Sequence, residues 1–225
     1  MACGDPKAAP CVAILDHLLT VTQPSQVAAC TGIDAVAHAV ETAVTKKRNG
    51  LSWLYSREAF RLTAGNLDCV LQQPDNLDAR AAMQLGAAYA GTAIENSMLG
   101  AAHSAANPLT ARFDIIHGQA VGMMLPHVVR FNAQHPDAAA IYAELARFAG
   151  LADWKDRAEH AVEALIARID SLLQAGQMPL SLSALNIPPS GLPKLAEEAA
   201  GQWTAQFNPR RMTASDFEAI YAAAL

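Results

Sequence analysis

The sequence lacks the glycine-rich loop that many proteins use to hold a dinucleotide. Such a loop lets bare backbone approach a pyrophosphate at the N-terminus of a helix, but the 13 glycines of this chain form no such cluster. The chain also lacks the alternation of strands and helices that builds a parallel sheet around such a loop. We therefore expect no dinucleotide-binding domain within these 225 residues.

Basic residues and long apolar runs are also scarce. The chain has 16 lysines and arginines against 21 aspartates and glutamates, which gives a net charge of −5, and the basic residues are scattered. This distribution excludes a basic surface for nucleic acid or acidic lipid. No apolar run reaches the ~20 residues that cross a bilayer, and the N-terminus lacks the basic start of a signal peptide. The sequence thus predicts a cytoplasmic protein with no nucleic-acid or membrane partner.

The cysteines follow no pattern typical of a zinc knuckle or a redox pair. Cys3, Cys11, Cys30 and Cys69 show no two-residue spacing, and no partnering histidine lies nearby. We expect ordinary reduced thiols, which behave as small apolar groups where they are buried.

What the chain does have is a high apolar content, 52% of its residues, much of it alanine. A chain of this length can bury a substantial core as one or at most two domains, and alanine lets helices pack closely. We predict an all-α fold, a multi-helix bundle with one short N-terminal strand, CVAILD at residues 11–16. Residues 1–24 would form a linker that contains this strand, and residues 25–225 would form the helical domain.

Apolar residues at helical spacing, flanked by turn-forming residues, predict the helices. Their expected ranges are 25–47, 52–71, 77–99, 118–132, 136–148, 153–173, 191–203 and 214–224. We expect Gly32 to bend or break the first helix. The third is unusually apolar and should therefore lie at the centre of the bundle.

Two residues in the first predicted helix are typical metal ligands. Asp34 and His38 are four residues apart in GIDAVAH, so their side chains share one face of a helix. A carboxylate oxygen and an imidazole nitrogen could then approach a single ion together. Taken alone, the pair is better interpreted as hydrogen-bonded residues on a helix surface.

A second block, GAAHSAANPLTARFDIIHG, carries His103 and His117. Fourteen residues correspond to ~21 Å along a continuous helix, so these histidines can meet only if the chain bends between them. We expect the breaks at Pro108 and Gly118. One oxygen and three nitrogen ligands suit Fe²⁺ or Zn²⁺ better than Mg²⁺ or Ca²⁺. Such a centre keeps one net positive charge and can polarise a substrate oxygen as a Lewis acid.

Four stretches, TGIDAVAHAVET, MLGAAHSAANPL, HGQAVGMMLPHVVRFN and NPRRMT, resemble the iron-containing alcohol dehydrogenases, which have the dehydroquinate synthase-like fold. The resemblance implies that iron is bound by four residues: Asp34, His38, His103 and His117. It also implies NAD(P)-dependent oxidation of an alcohol, or reduction of an aldehyde or ketone. Zinc is the leading rival to iron, because metal affinity does not by itself favour Fe²⁺.

In that family a nucleotide-binding α/β domain precedes the metal-binding half. The resemblance therefore implies that this chain is the metal-binding half alone, with the N-terminal nucleotide-binding domain absent, and that it is incomplete as an enzyme. That domain, or a separate chain carrying it, would be its partner. An uncovered domain interface should leave an apolar patch that promotes association into a homo-oligomer.

Two polar residues beside the expected ligands need separate interpretation. Many family members have a histidine four residues after the third ligand, where this chain has Asn107. Asparagine cannot titrate near neutral pH, so a proton relay would use water, cofactor hydroxyls or another route.

Glu41, three residues after His38, could accept a hydrogen bond from the other ring nitrogen of that ligand, or could be a solvated helix carboxylate.

Two other functions stay open from the sequence. The chain could be a non-enzymatic helical fragment stabilised by its metal. It could also be a metal-dependent lyase like dehydroquinate synthase, although that enzyme would need a different ligand set and more phosphate-binding basic residues.

Overall fold

The computed structural model describes Lys7 and residues 10–225, and this part of the chain is mostly helical. Its helices are α1 Ser25–Thr42, α2 Gly50–Gln72, α3 Leu77–Asn96, α4 Ala101–Phe113, α5 His117–Asn132, α6 Pro136–Phe148, α7 Ala158–Ala175, α8 Leu192–Ala200 and α9 Ala214–Ala223. Short 3₁₀ turns lie between or before them, as at His17–Thr20 and Trp203–Phe207. The predicted all-α bundle is confirmed. In the described part, no helix is both long and apolar enough to cross a membrane.

The predicted N-terminal strand is wrong. Residues 11–16 are neither strand nor helix, and Val12 and Ile14 are 78% and 87% exposed. An apolar, partly β-branched run is typical of a strand, but a strand also needs a partner for its backbone hydrogen bonds. Residues 10–225 contain no second strand that could pair with it.

Helix α3 holds the chain that follows this segment. Arg80 is 3% exposed, and its Nη1 donates a hydrogen bond of 2.5 Å to the carbonyl oxygen of Thr20. Gln84, one turn later on α3, donates through Nε2 to the carbonyl oxygen of Asp16 at 3.2 Å. These two side chains fix the 3₁₀ turn against the bundle.

The central helix of the bundle is α1, and not the third predicted helix as expected. It packs against α2, α3 and α5, and Ile33, Val36 and Val40 on it are fully buried. Gly32 does not break α1, which is continuous from Ser25 to Thr42. A Cβ at Gly32 would lie 2.4 Å from Cδ1 of Leu67, so the glycine allows close approach of α2 instead. Most of the apolar residues of α3 are alanines, and several of them lie on partly exposed faces of the helix. Helix α3 is therefore less buried than its apolar sequence suggests.

Helix α4 is missing from the predicted set, and the bend after it lies elsewhere than expected. The helix runs through Pro108, which is buried, because the fixed φ of proline is compatible with a helix although its missing N–H removes one hydrogen bond. The break comes at Asp114, which ends α4 in the left-handed conformation with φ of 54°. Gly118 lies inside the first turn of α5. The expected bend is therefore present, but both predicted breaking positions are wrong.

Small side chains allow α1 and α4 to be buried deeply. The buried alanines on these two helices include Ala37, Ala39, Ala101, Ala102, Ala105 and Ala106, each 0% exposed. Because each contributes only a methyl group, neighbouring backbones can come close together. The polar residues that project from α1, α4 and α5 are thereby brought within contact of one another.

Candidate metal centre

The four predicted ligands converge on one point between three helices. Helix α1 carries Asp34 and His38, α4 carries His103, and His117 is the first residue of α5. Oδ1 of Asp34 lies 3.3 Å from Nε2 of His103 and 3.9 Å from Nε2 of His117. The other carboxylate oxygen, Oδ2, lies 3.5 Å from Nε2 of His38. The Asp34 carboxylate is thus at the centre of the cluster.

The spacing of these atoms suits a single ion. Two ligands bound to one first-row cation at about 2.1 Å each lie roughly 3–4 Å apart. One donor atom from each of Asp34, His103 and His117 lies within 4.8 Å of the other two. His38 lies beside this group of three, with its ring stacked on that of His103 at a centroid distance of 4.9 Å, and it contacts the other carboxylate oxygen of Asp34. The structure brings all four predicted residues together.

Two buried atoms in the cluster have no hydrogen-bond partner among the described residues. They are Oδ1 of Asp34 and Nε2 of His103, which face each other 3.3 Å apart as an ion pair that lacks hydrogen-bond geometry. Buried polar atoms in proteins are almost always paired, because an unpaired one loses its water without compensation. A divalent cation between this oxygen and this nitrogen would satisfy both. The donor set and the unpaired atoms therefore fit a metal ion.

The cluster is closed on one side and open on the other. The exposed fraction of the side chain rises from 5% for His103 to 22% for Asp34, 23% for His38 and 42% for His117. A small molecule can therefore reach the cluster past His117 but not past His103.

The electrostatics of the cluster follow from burial and from the neighbouring charges. Burial opposes ionisation of Asp34, but the surrounding imidazoles outweigh it and lower the pKa of this carboxyl. Burial lowers the pKa of His38 to about 4 and also lowers the pKa of His117. Burial likewise opposes protonation of His103, but the carboxylates of Glu41 and Asp34 outweigh it and raise its pKa to about 9. Without an ion, His103 is therefore the imidazole of the cluster that carries a second ring proton, and a positive charge, at neutral pH.

Glu41 contacts His103, whereas the sequence suggested His38. Its Oε2 lies 2.5 Å from Nδ1 of His103, and its Oε1 accepts a hydrogen bond of 2.6 Å from the backbone N–H of Ala102. The sequence pointed to an outer acceptor for a ligand ring, but spacing along α1 could not show that this carboxylate crosses to α4.

Asn107 lies one turn after His103 on α4. Its Nδ2 donates a hydrogen bond of 3.0 Å to Oε1 of Gln202, in the segment after α8. The position where many family members have a histidine is thus occupied by a half-buried amide whose donor group is engaged by another part of the chain.

The NPRRMT segment fixes the far end of α5. Asn208 and Asn132, each 1% exposed, exchange two hydrogen bonds of 2.8 and 3.0 Å through their amides. Arg210 donates to the carbonyl oxygen of Phe131 and lies 3.8 Å from the centre of its ring. The sequence identifies NPRRMT as a motif but does not predict that Asn208 in it pairs with Asn132. The two amides are far apart along the chain, so no local pattern indicates their contact.

Residues 28–225 match the family model described as Fe-containing alcohol dehydrogenase family, C-terminal. The chain is 35% identical over 215 residues to 1,3-propanediol dehydrogenase of Klebsiella pneumoniae, covering 94% of this chain and 54% of that enzyme. A crystal structure of 1,3-propanediol oxidoreductase matches with a TM-score of 0.89 and 32% identity, over 93% of this chain and 55% of the other. Sulfoacetaldehyde reductase from Bifidobacterium kashiwanohense, solved in complex with NAD⁺, matches with a TM-score of 0.82 and 28% identity, over 96% and 54%. The chain spans about half the length of these relatives.

Proposed function

The chain belongs to the Fe-containing alcohol dehydrogenase family, and we propose that residues 25–225 are the metal-binding half of an NAD(P)-dependent alcohol dehydrogenase. The proposed reaction is oxidation of an alcohol or reduction of an aldehyde or ketone. The observation that carries the proposal is the pair of buried, unpartnered atoms, Oδ1 of Asp34 and Nε2 of His103, at the centre of the cluster.

The ion would be held by the four clustered residues, Asp34, His38, His103 and His117. One carboxylate and three imidazoles suit Fe²⁺, with Zn²⁺ as the alternative. When bound, such an ion supplies Lewis-acid chemistry, which favours loss of the proton from an alcohol and polarises a carbonyl group.

The residues of this chain contribute position and shielding. Each ligand lies on a helix anchored in the core, which keeps the donor atoms in a fixed arrangement. Burial of His103 keeps water away from the inner side of the cluster, whereas the exposed face of His117 leaves room for a small substrate. Asn107 can hydrogen-bond but cannot exchange a proton near neutral pH, so a proton leaving the substrate would pass through water or the cofactor.

Hydride transfer also needs a nicotinamide cofactor and a domain that binds it. One relative is solved with NAD⁺, and the relatives named above are nearly twice as long as the matched region. We propose that the nucleotide-binding part lies outside these 225 residues, in the same polypeptide or in a separate chain.

Association into a homo-oligomer and a cytoplasmic location stay predictions.

The relatives favour redox chemistry over the two alternatives. They are described as a 1,3-propanediol dehydrogenase and a sulfoacetaldehyde reductase, which act on small alcohols or aldehydes, and neither is described as a lyase. A non-enzymatic fragment stabilised by its metal would keep the ion but show no turnover when the nucleotide-binding part is supplied.

Metal analysis of the purified chain tests the proposal. Protein made in iron-supplemented medium should contain about one ion per chain, because the four ligands form one site. The double variant His103→Ala/His117→Ala should contain almost none. A matched control removes two exposed histidines outside the cluster, His135 and His160, and should keep full occupancy. Equal metal content in the two double variants would overturn the ligand assignment.

A further inference from the structure

Glu41 is a buried carboxylate whose two oxygens both bind α4. It is the second-to-last residue of α1 and is only 3% exposed. Oε2 contacts Nδ1 of His103 at 2.5 Å, and Oε1 accepts the N–H of Ala102 at 2.6 Å. A charge-bearing group this deep in the protein persists only where its hydrogen bonds are satisfied, so both contacts are part of how Glu41 is held.

The second contact gives α4 the cap that its own sequence does not provide. The residue before the first turn of α4 is Gly100, which has no side chain to accept a hydrogen bond from the free N–H groups of that turn. Glu41 takes this role from a different helix, and its charge suits the positive end of the helix dipole. A Cβ at Gly100 would lie 3.1 Å from Oε1 of Glu41, so the glycine leaves space for the carboxylate.

The first contact sets which nitrogen of His103 faces the cluster. Because Glu41 contacts Nδ1 through a carboxyl oxygen, which accepts a hydrogen bond from a ring N–H, this contact assigns the ring proton to Nδ1 of His103. Nε2 then points at Asp34 and is available as a ligand atom. Without an acceptor beside Nδ1, the ring could place its proton on Nε2 or rotate away from Asp34.

We propose that Glu41 is the positioning residue of the metal centre. It holds Nε2 of His103 towards Asp34 and fastens α4 to α1, so that ligands from the two helices stay in register. This inference rests on the proposed metal-binding function.

The substitution Glu41→Gln separates the two contacts with little change of shape. Glutamine offers one acceptor oxygen and one NH₂ group, so it cannot accept from both His103 and Ala102. If the NH₂ group faces His103, Nδ1 becomes an acceptor and the ring proton moves to Nε2, where it blocks ligation. If the oxygen faces His103, the first turn of α4 loses its cap. Either arrangement should weaken Co²⁺ binding by roughly 10–100-fold, the usual effect of losing such a partner.

Co²⁺ titration of the full chain against a competing chelator measures this loss, and the Co²⁺ absorption bands report the geometry of the ligands. The matched control is the same substitution at Glu58 on α2, Glu58→Gln, because the Glu58 carboxylate pairs with Arg61 and not with the cluster. We expect the control to keep the wild-type affinity and spectrum. Wild-type affinity and an unchanged spectrum in Glu41→Gln would overturn the positioning role.

A measurement on the unmodified chain covers the case in which Glu41→Gln does not fold. In the Zn²⁺-loaded protein, ¹⁵N NMR of the histidine side chains should show His103 protonated at Nδ1 and bound through Nε2. Binding through Nδ1 would overturn the proposal. If the wild-type chain binds neither Co²⁺ nor Zn²⁺, the metal-centre proposal falls and the role of Glu41 falls with it, whereas the preceding outcomes reject Glu41 alone.

Discussion

Gly118 on α5 lies directly against the backbone of Cys30 on α1, so that a Cβ at position 118 would be 2.0 Å from the Cys30 carbonyl oxygen. Backbone cannot move aside as a flexible side chain can, so only glycine fits here without displacing a helix. His117 is the preceding residue, and Asp34 is one helical turn after Cys30. The close approach of these two helices therefore sets the distance between the ligands that they carry.

Gly118→Ala should push α5 away from α1 and disrupt the cluster. We expect a loss of about 3 kcal/mol or more in the free energy of unfolding, because an added methyl group in a tight contact costs 1–3 kcal/mol even where side chains can adjust. Urea denaturation measures this loss, and chelator competition should show weaker Zn²⁺ binding in whatever protein folds. Gly65 on α2 has open space around it, so Gly65→Ala should instead be neutral or stabilising by up to about 1 kcal/mol. Similar behaviour of the two variants would refute this reading of the contact.

Metal binding should release a proton from the cluster. The pKa of His103 is raised to about 9, so at pH 7 both of its ring nitrogens carry a proton. Nε2 must give up its proton before it can bind an ion. We expect release of about one proton per Zn²⁺ at pH 7. Because a raised pKa means that protonation competes with the metal below that value, Zn²⁺ affinity should increase as the pH rises towards 9.

Calorimetric titration at one pH, in buffers with different heats of ionisation, counts the released protons. The count should decline towards zero as the pH approaches and passes 9. Zn²⁺ binding without proton release at pH 7 would show that the His103 ring is already neutral at that pH. The carboxylates of Glu41 and Asp34 would then not raise the pKa of His103 above 7.

The reciprocal amide pair of Asn132 and Asn208 should behave as one unit. Replacing either by alanine leaves the Oδ1 of the other buried without its donor, which should cost about 1–3 kcal/mol in the free energy of unfolding. The remaining Nδ2 keeps a second acceptor, the hydroxyl of Tyr142 for Asn132 and the carbonyl oxygen of Arg210 for Asn208. The double alanine variant should lose less than the sum of the two single losses, by at least about 0.5 kcal/mol. Urea denaturation of the four proteins gives this coupling. Asn66→Ala, which removes only a bond to its own helix, should change stability by less than about 0.5 kcal/mol. Additive losses would mean that the two amides do not depend on each other.

The parts of the fold that could be predicted from the sequence are those set by local spacing. Apolar residues at helical spacing predict most of the helices, and the four-residue step between Asp34 and His38 places both on one face of α1. The strand at residues 11–16 was predicted wrongly because strand formation depends on a partner, which a single segment does not reveal. Pro108 does not break α4, because a helix can accommodate the fixed φ of proline, so a proline in the sequence is not by itself evidence of a helix end.

The candidate site required tertiary information at two places. The meeting of His103 and His117 depends on the turn at Asp114, an aspartate in the left-handed conformation that no sequence signal singled out. Glu41 reaches His103 only because α4 crosses α1 at that level. The family resemblance implies the four ligands without any knowledge of these contacts. A family motif reflects how the chain packs in three dimensions, which local spacing alone does not predict.

Of the three helices that carry the clustered side chains, α1 is distant along the chain from α4 and α5, which follow one another. An ion bound by all three helices would act as a cross-link between them. Local unfolding of either α4 or α5 would then first require release of the ion. Chelation should consequently loosen all three helices together, and the resulting rise in backbone amide exchange would spread across the middle of the bundle and not stay at one end.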